Sequence, residues 1–205
     1  MSKNRFILAS ENPGKLKEFA KLCADFDIAI VSAREAGVYD FPPEDGDSYQ
    51  ANALIKAQHA VAQSGLPAIA DDSGLEVDAL DGRPGLYSAR FGNKQNDGER
   101  VAYMLEQLTH IPSTQRGAHF HCHIALALPD GRAQHFVGRC SGTIASTPQG
   151  KEGFGYDPIF ISDDLGISFA EASREQKGRV SHRARALQSF ATWLHSPEAK
   201  QILAL

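Results

Sequence analysis

From Ala118 to Leu128 the residues Ala118, Phe120, Cys122, Ile124, Leu126 and Leu128 alternate with His119, His121, His123, Ala125 and Ala127. Successive side chains of an extended backbone point to opposite faces, so a period of two held this long predicts one long half-buried strand. Pro129-Asp130-Gly131 is turn chemistry, and the segment through Phe136 and Cys140 is expected to return as the antiparallel arm of a hairpin. Two strands cannot bury an apolar face by themselves. The rest of the chain must therefore supply elements that pack on this one.

Those elements read as alternating strands and helices. Phe6-Ile-Leu-Ala9 is a short continuous apolar run, as in a buried strand. Asn12-Pro13 follows with an N-cap residue and proline at the first helical position. Leu16, Phe19, Ala20, Leu22, Cys23 and Phe26 then recur at helical spacing, with Lys15, Lys17, Glu18 and Lys21 largely opposite. A second helix is predicted from about Ser48 to Gln63, stopping at Gly65, with the small face Ala53, Ala57, Ala60 and Val61. Pro67-Ala-Ile-Ala70 is a further buried strand, expected to end in a turn at Asp71-Asp72-Ser73-Gly74. A helix near Glu99 to Leu108 turns Val101, Met104, Leu105 and Leu108 inward. The C-terminal helix begins after Ser181 and buries Leu187, Phe190, Ala191 and Leu194, and Ser196-Pro197-Glu198 starts a last short one. The sum is a mixed α/β protein, and with no repeat or linker-like stretch a single domain over residues 1–205 is expected.

Composition narrows the function classes. With 42% hydrophobic and 22% charged residues over 205, the chain is globular, which excludes collagen, coiled coil and disorder. Lys plus Arg number 21 against 25 Asp plus Glu, a net charge of -4, so no general positive field is present to hold nucleic acid by counterion release. A small anion needs only a few cations converging on one cleft. Cys23, Cys122 and Cys140 are odd in number and form no C-x-x-C pair, which argues against a disulfide framework and a zinc site. The start, Met1-Ser-Lys-Asn-Arg5, runs into only four apolar residues, so neither a signal segment nor a membrane span is expected and the protein is read as cytoplasmic.

Five groups of residues come into question for chemistry. Ser10-Glu-Asn-Pro-Gly-Lys15 joins a buried strand to a helix N-terminus, where unpaired N–H groups, the helix dipole and the donors of Ser10, Asn12 and Lys15 suit a phosphate. The alternative is that Asn12 simply caps the helix and Lys15 is a solvated charge. Asp71 and Asp72, with Glu44 in the acidic Glu44-Asp45-Gly46-Asp47 loop, could supply hard oxygen ligands to magnesium opposite such a cradle, or could be ordinary turn residues. His119, His121 and His123 share a strand face, but same-face neighbours lie roughly 7 Å apart. With no acidic or cysteine partner evident there, they are read as that strand's polar face. Gly150 to Pro158, with three glycines and the aromatics Phe154 and Tyr156, forms a tight loop whose rings either stack on a ligand or pack inward. Arg174, Lys177, Arg179, His182, Arg183 and Arg185 are the one basic concentration, either a solvated helix face or a contact to phosphate or base edges.

In this order and spacing, Ser10 to Lys15, Ile69-Ala-Asp-Asp-Ser-Gly-Leu75, Pro84-Gly-Leu-Tyr-Ser-Ala-Arg-Phe91, Gly153-Phe-Gly-Tyr-Asp-Pro-Ile-Phe160 and Ser181-His-Arg183 resemble the inosine/xanthosine triphosphate pyrophosphatases over nearly the whole chain. The resemblance implies a central mixed twisted sheet flanked by helices, with two lobes around an active-site cleft, and a homodimer. It implies magnesium-dependent hydrolysis of dITP/ITP and XTP/dXTP to the monophosphate and pyrophosphate, cleansing the nucleotide pool. Carried over by position, Ser10, Glu11, Asn12, Pro13, Gly14 and Lys15 bind the triphosphate, Asp72 is metal ligand and general base, and Glu44 is a second ligand. Ser73, Phe154, Gly155, Tyr156, Asp157, Lys177, His182 and Arg183 hold the nucleotide and its base. The chain departs from the family pattern at Ser10, where threonine is common, at Ala51, where Glu is expected, and at Gln176, where a second Glu is common. Two alternatives differ in class: a Maf-type pyrophosphatase for pyrimidine or modified nucleotides, whose N-terminal segment is typically S-x-S-x-R, and a non-catalytic nucleotide-binding regulator, which loss of the acids would favour.

Overall fold

A computed structural model describes residues 4–10 and 12–203. In chain order the elements are β1 (Asn4–Leu8), α1 (Pro13–Cys23), β2 (Ile28–Ser32), α2 (Tyr49–Ser64), β3 (Ala68–Val77), β4 (Pro84–Gly85), α3 (Asp97–Gln107), β5 (Gly117–Ala127), β6 (Ala133–Ile144), β7 (Phe160–Ser162), α4 (Arg174–Val180), α5 (His182–Leu194) and α6 (Pro197–Leu203). The strands form one mixed sheet in the order β2-β1-β3-β5-β6-β7, with β4 paired to β3. The chain divides into two compact units, one running through Asp72 with Cys122–Val137 and the residues from Ala186 on, the other Ser73–His121 with Gly138–Arg185.

The first unit is wound on β1. It pairs parallel with β2, Asn4 opposite Ile28 through Leu8 opposite Ser32, and parallel with β3, Ile7 opposite Ala68. The chain leaves β1 through α1 to β2 on one side, then passes through α2 to β3 on the other. Connections thus diverge at the carboxyl end of β1, the place where open parallel sheets bind ligands. One side of this sheet buries Phe6, Leu8, Phe19, Cys23, Ile69, Cys122, Ile124, Leu126 and Phe190. The opposite side is built from small residues: Ala53, Ala57 and Ala60 of α2 meet Ala9, Ala33, Ala68, Ala70, Ala125 and Ala127. Short side chains on both partners let α2 lie close on the sheet, which fixes where its polar residues emerge.

The second unit has its own core of Leu75, Val77, Met104, Leu108, Ala118, Phe120, Cys140, Ile159, Phe160 and Phe169. Buried Arg116 closes the end of α3, donating to the carbonyls of Leu108 at 2.9 Å and Ile111 at 2.9 Å. A cation there also opposes the negative end of the helix dipole.

The caps follow the sequence. Asn12 accepts from the Gly14 and Lys15 amides, Ser48 caps α2, and Gly65 takes the left-handed conformation that ends it at φ 69°. The Ser181 hydroxyl accepts from the Ala184 amide at 3.2 Å at the start of α5. The hairpin closes at the expected turn, where the Leu128 amide donates to the Arg132 carbonyl at 2.9 Å.

Two expectations are corrected. Asp71 to Gly74 do not form a turn: β3 runs straight through them to Val77. The carboxylates of Asp71 and Asp72, which favour turns when only local partners exist, are satisfied by other elements, and Ser88 Oγ accepts the Leu75 amide at 2.8 Å. Likewise, β5 is half-buried only at first. Ala125, Leu126 and Ala127 are all buried, because there one face packs on the large core and the other on the alanine layer. Strands β2 and β7, short and without alternation, carried no legible signal.

Candidate active site

The divergence point at the end of β1 is where the phosphate-cradle segment emerges. Ser10 Oγ accepts the Asn12 amide at 3.2 Å, and Asn12 Oδ1 accepts the amides of Gly14 at 2.8 Å and Lys15 at 3.3 Å. The capping reading of Asn12 therefore holds. The solvated-charge reading of Lys15 does not, because its ammonium bonds Asp71 Oδ1 at 2.7 Å and the Asp71 side chain is only 1% exposed. Asp71 thus fixes the direction of a lysine at the first turn of α1. Glu11 lies outside the described residues, as does the side chain of Pro13.

Asp72, one residue along β3, turns the other way, since neighbouring strand positions face opposite sides. Its Oδ2 accepts Asn52 Nδ2 at 3.1 Å, and its Oδ1 lies 3.8 Å from Lys56 Nζ. Lys56 also bonds Glu44 Oε1 at 2.5 Å and the Asp71 carbonyl at 2.8 Å. Asn52 ties in the acidic loop as well, its Oδ1 accepting the Gly46 amide at 2.8 Å. A Cβ at Gly46 would press on Asn52 Oδ1 at 2.7 Å and on Ala51 at 2.9 Å, so only glycine lets this loop lie against α2.

Ser10, Asn12, Lys15, Glu44 and Lys56 line one cavity of about 1090 Å³, together with Ser32, Arg34, Tyr39 and Phe41. Asn52 and Lys56 are the residues that sequence reasoning missed. The signal was present: they stand four apart on α2, one helical turn, beside the buried Ala53 and Ala57, and Asn52 is a fully buried polar residue.

In the second unit the glycine loop presents one ring and buries the other. Phe154 is 58% exposed, whereas Tyr156 is 4% exposed and its hydroxyl donates to the Ser88 carbonyl at 2.9 Å. Burial pushes the Tyr156 phenol up from its ordinary range. Asp157 Oδ2 accepts the Phe154 amide at 2.8 Å and pairs with Lys177, whose ammonium stands 4.9 Å from the Phe154 ring centre. Asp97 Oδ2 accepts the Gly155 amide at 2.7 Å. The Ser73 hydroxyl is buried with no hydrogen-bond partner among the described residues.

The basic concentration disperses on inspection. Arg179 pairs with Glu175, and Arg185 with Asp164 and the Arg139 carbonyl. His182 is buried, its ring stacked on Phe120 at 4.7 Å and 12°, while Arg183 is half-buried on the next residue.

The strand histidines do have acidic neighbours, contrary to expectation. His119 Nε2 lies 3.4 Å from Asp78 and His121 Nε2 3.3 Å from Glu76, because β3, continuing through the predicted turn, brings these acids alongside β5. Burial pulls His121 below the ordinary imidazole range against the opposing pull of Glu76. His123 stacks on Tyr49 at 5.6 Å. Each ring has its own neighbour, and no group of three metal-ligating side chains occurs among the described residues.

The Ham1 family pattern matches residues 6–193. A dITP/XTP pyrophosphatase of Thermus thermophilus is 42% identical over 186 residues, 91% of this chain and 89% of that one. One from Photorhabdus laumondii is 46% identical over 195 residues, 94% and 98% of the two chains. Among solved structures, a HAM1 protein from Coxiella burnetii superposes with a TM-score of 0.87 at 41% identity, covering 93% of this chain and 98% of that one. With a family match across nearly its whole length and relatives this similar, the chain belongs to the Ham1 family.

Proposed function

We propose that this protein hydrolyses non-standard purine nucleoside triphosphates, dITP/ITP and XTP/dXTP, to the monophosphate and pyrophosphate, with magnesium as cofactor. The observation that carries this reading is the convergence of Lys15, Lys56, Asp71, Asp72 and Glu44 at the divergence point of a parallel sheet, in a chain whose relatives are dITP/XTP pyrophosphatases. The enzyme acts as a homodimer in the cytoplasm, removing deaminated purines from the nucleotide pool. No helix of the described residues is long and apolar enough to cross a membrane.

The donor set fits magnesium. Glu44 and Asp72 both flank the Lys56 ammonium, so they already share one cation, and both offer the hard carboxylate oxygens magnesium prefers. Two ammonium groups against three carboxylates leave the cluster at a formal charge of -1, which repels a polyphosphate. Glu44 and Asp72 would hold a divalent cation, which would reverse that sign and neutralise charge on phosphate oxygens.

The remaining work falls to the chain itself. Lys15, aimed by Asp71, and the first amides of α1 meet the charge that builds on the departing pyrophosphate. Asp72 orients the attacking water and takes its proton, with Asn52 and Lys56 holding the two carboxylate oxygens in place. Phe154 supplies a face for the purine, with Ser73, Gly155, Tyr156, Asp157 and Lys177 shaping the nucleotide site.

Base choice follows from donors and acceptors. Hypoxanthine and xanthine present a 6-keto acceptor where adenine presents an amino donor, so a guanidinium there favours the former. With His182 stacked into the core, Arg183 is the better candidate for that donor. Arg183→Ala is expected to lower kcat/KM for XTP and dITP by about one to two decades, the cost of one charge-assisted bond. ATP hydrolysis, which never used that bond, changes little. Equal losses for all three substrates would place Arg183 on phosphate instead.

The direct test of function is pyrophosphate release from XTP, dITP, ITP, GTP, ATP, UTP and dTTP, with and without magnesium. Preference for XTP, dITP and ITP over GTP, ATP and the pyrimidine nucleotides, abolished by chelation, is the expected result. Preference for UTP or dTTP would favour the Maf-type alternative, and absence of release from any substrate would favour a binding regulator.

A further inference from the structure

Phe154 is held by two carboxylates that come from different places in the chain. Its own amide donates to Asp157 Oδ2, three residues on, and the next amide, that of Gly155, donates to Asp97 Oδ2, at the first turn of α3. The two peptide units flanking one Cα are thereby fixed, which sets the direction in which that residue's side chain leaves the backbone. The flanking residues are glycines with positive φ, Gly153 at 79° and Gly155 at 61°, and a loop of this kind has no rigidity of its own. A Cβ at Gly153 would collide with the Asp157 carboxylate, so the clamp and the glycine require each other.

The same side chains reach further. Lys177, paired with Asp157, stands over both the Phe154 and Phe169 rings, at 4.9 and 5.3 Å, so the ring of Phe154 is backed by a cation from α4. On the other side, Asp97 Oδ1 pairs with Arg100, whose Nη1 donates to the Lys94 carbonyl at 3.2 Å. Burial pushes the Asp97 carboxyl up, but the Gly155 amide and Arg100 together hold it below the usual carboxylate range, so it accepts as a full anion. Despite these restraints the ring itself is exposed. An apolar surface kept outward by two charge-assisted bonds is arranged for contact with something that arrives.

We infer that Asp97 is a positioning residue for substrate binding: by holding the Gly155 amide it fixes the Phe154 ring as the platform on which the purine base stacks. The inference rests on the functional reading above, in which Phe154 contacts the base. Asp97 touches no reacting atom in this account, so its loss acts on binding and leaves the chemical step alone.

A double-mutant cycle on Asp97 and Phe154, read as KM and kcat for XTP with magnesium, tests this. Phe154→Ala is expected to raise KM about tenfold, within the range for losing one base–aromatic stack. Asp97→Ala should raise KM about three- to tenfold with kcat within about twofold, and Asp97→Asn, which keeps an oxygen for the Gly155 amide, should recover part of that loss. In the Phe154→Ala background, Asp97→Ala should change KM by less than about twofold, because the group it positions is gone. An undiminished effect there, or a fall in kcat in place of a rise in KM, would overturn the role of Asp97 while leaving the base contact standing. An unchanged KM in Phe154→Ala would overturn the base contact itself, and the inference with it.

Discussion

Asp72→Asn lowers kcat for XTP by about 10²–10⁴-fold, the usual worth of a positioned general base, while the protein stays folded. The expectation comes from what the substitution keeps and what it removes. An amide of the same shape fits beside Asn52 and Lys56, and its oxygen still accepts the Asn52 amide proton, so packing and one hydrogen bond survive. On the proposed function, what disappears is the negative charge that would help hold a divalent cation and the ability to receive a proton from water. Both losses fall on the chemical step and on magnesium affinity, so raising the magnesium concentration should recover only a small part of the rate. Pyrophosphate release measured alongside a thermal melt separates these effects from misfolding. A variant that kept more than about a tenth of wild-type kcat, well outside that range, would remove Asp72 from the reaction.

The elements with strong local signals were legible from the residues alone. The hairpin of β5 and β6 followed from strict alternation, and the starts of α1, α2 and α5 from Asn12, Ser48 and Ser181. Two kinds of information were not local and were lost. Asp71 and Asp72 look like turn residues by composition, and only partners on α1 and α2, far away in sequence, make a continuous strand satisfy them. The extension of β3 then explains what else was missed, since it carries Glu76 and Asp78 to the histidines of β5. The candidate site divides in the same way. Lys15, Asp71 and Asp72 could be named from sequence because they follow predicted strand ends, and Glu44 because its loop is acidic. Asn52 and Lys56 are ordinary helix residues until the alanine layer brings α2 down on the sheet and sets them beside Asp72. For His182 the letter pointed to a ligand contact but could not show that its ring stacks on Phe120 beside the Phe160–Phe169 aromatic cluster.

On the proposed function Lys15 has two roles, partner of Asp71 and contact to phosphate, that one substitution cannot separate, and the pairing with Asp71 suggests how to do so. Lys15→Ala leaves a carboxylate only 1% exposed without its ammonium partner at 2.7 Å. Breaking a buried pair from one side is expected to cost about 3 kcal/mol of folding stability, far more than deletion of a solvated lysine. The same substitution removes a charge-assisted contact to phosphate, about 1.5–3 kcal/mol or one to two decades in kcat/KM. Adding Asp71→Asn relieves the first loss and not the second, because a neutral amide is far cheaper to bury than an unbalanced charge. The double variant should therefore regain most of the stability in urea unfolding while its kcat/KM for XTP stays as low as that of Lys15→Ala. Activity returning along with stability would make Lys15 a purely structural partner of Asp71 and take it out of the phosphate cradle. A single variant as stable as wild type, within about 0.5 kcal/mol as for ordinary surface changes, would show that the pair contributes nothing to folding.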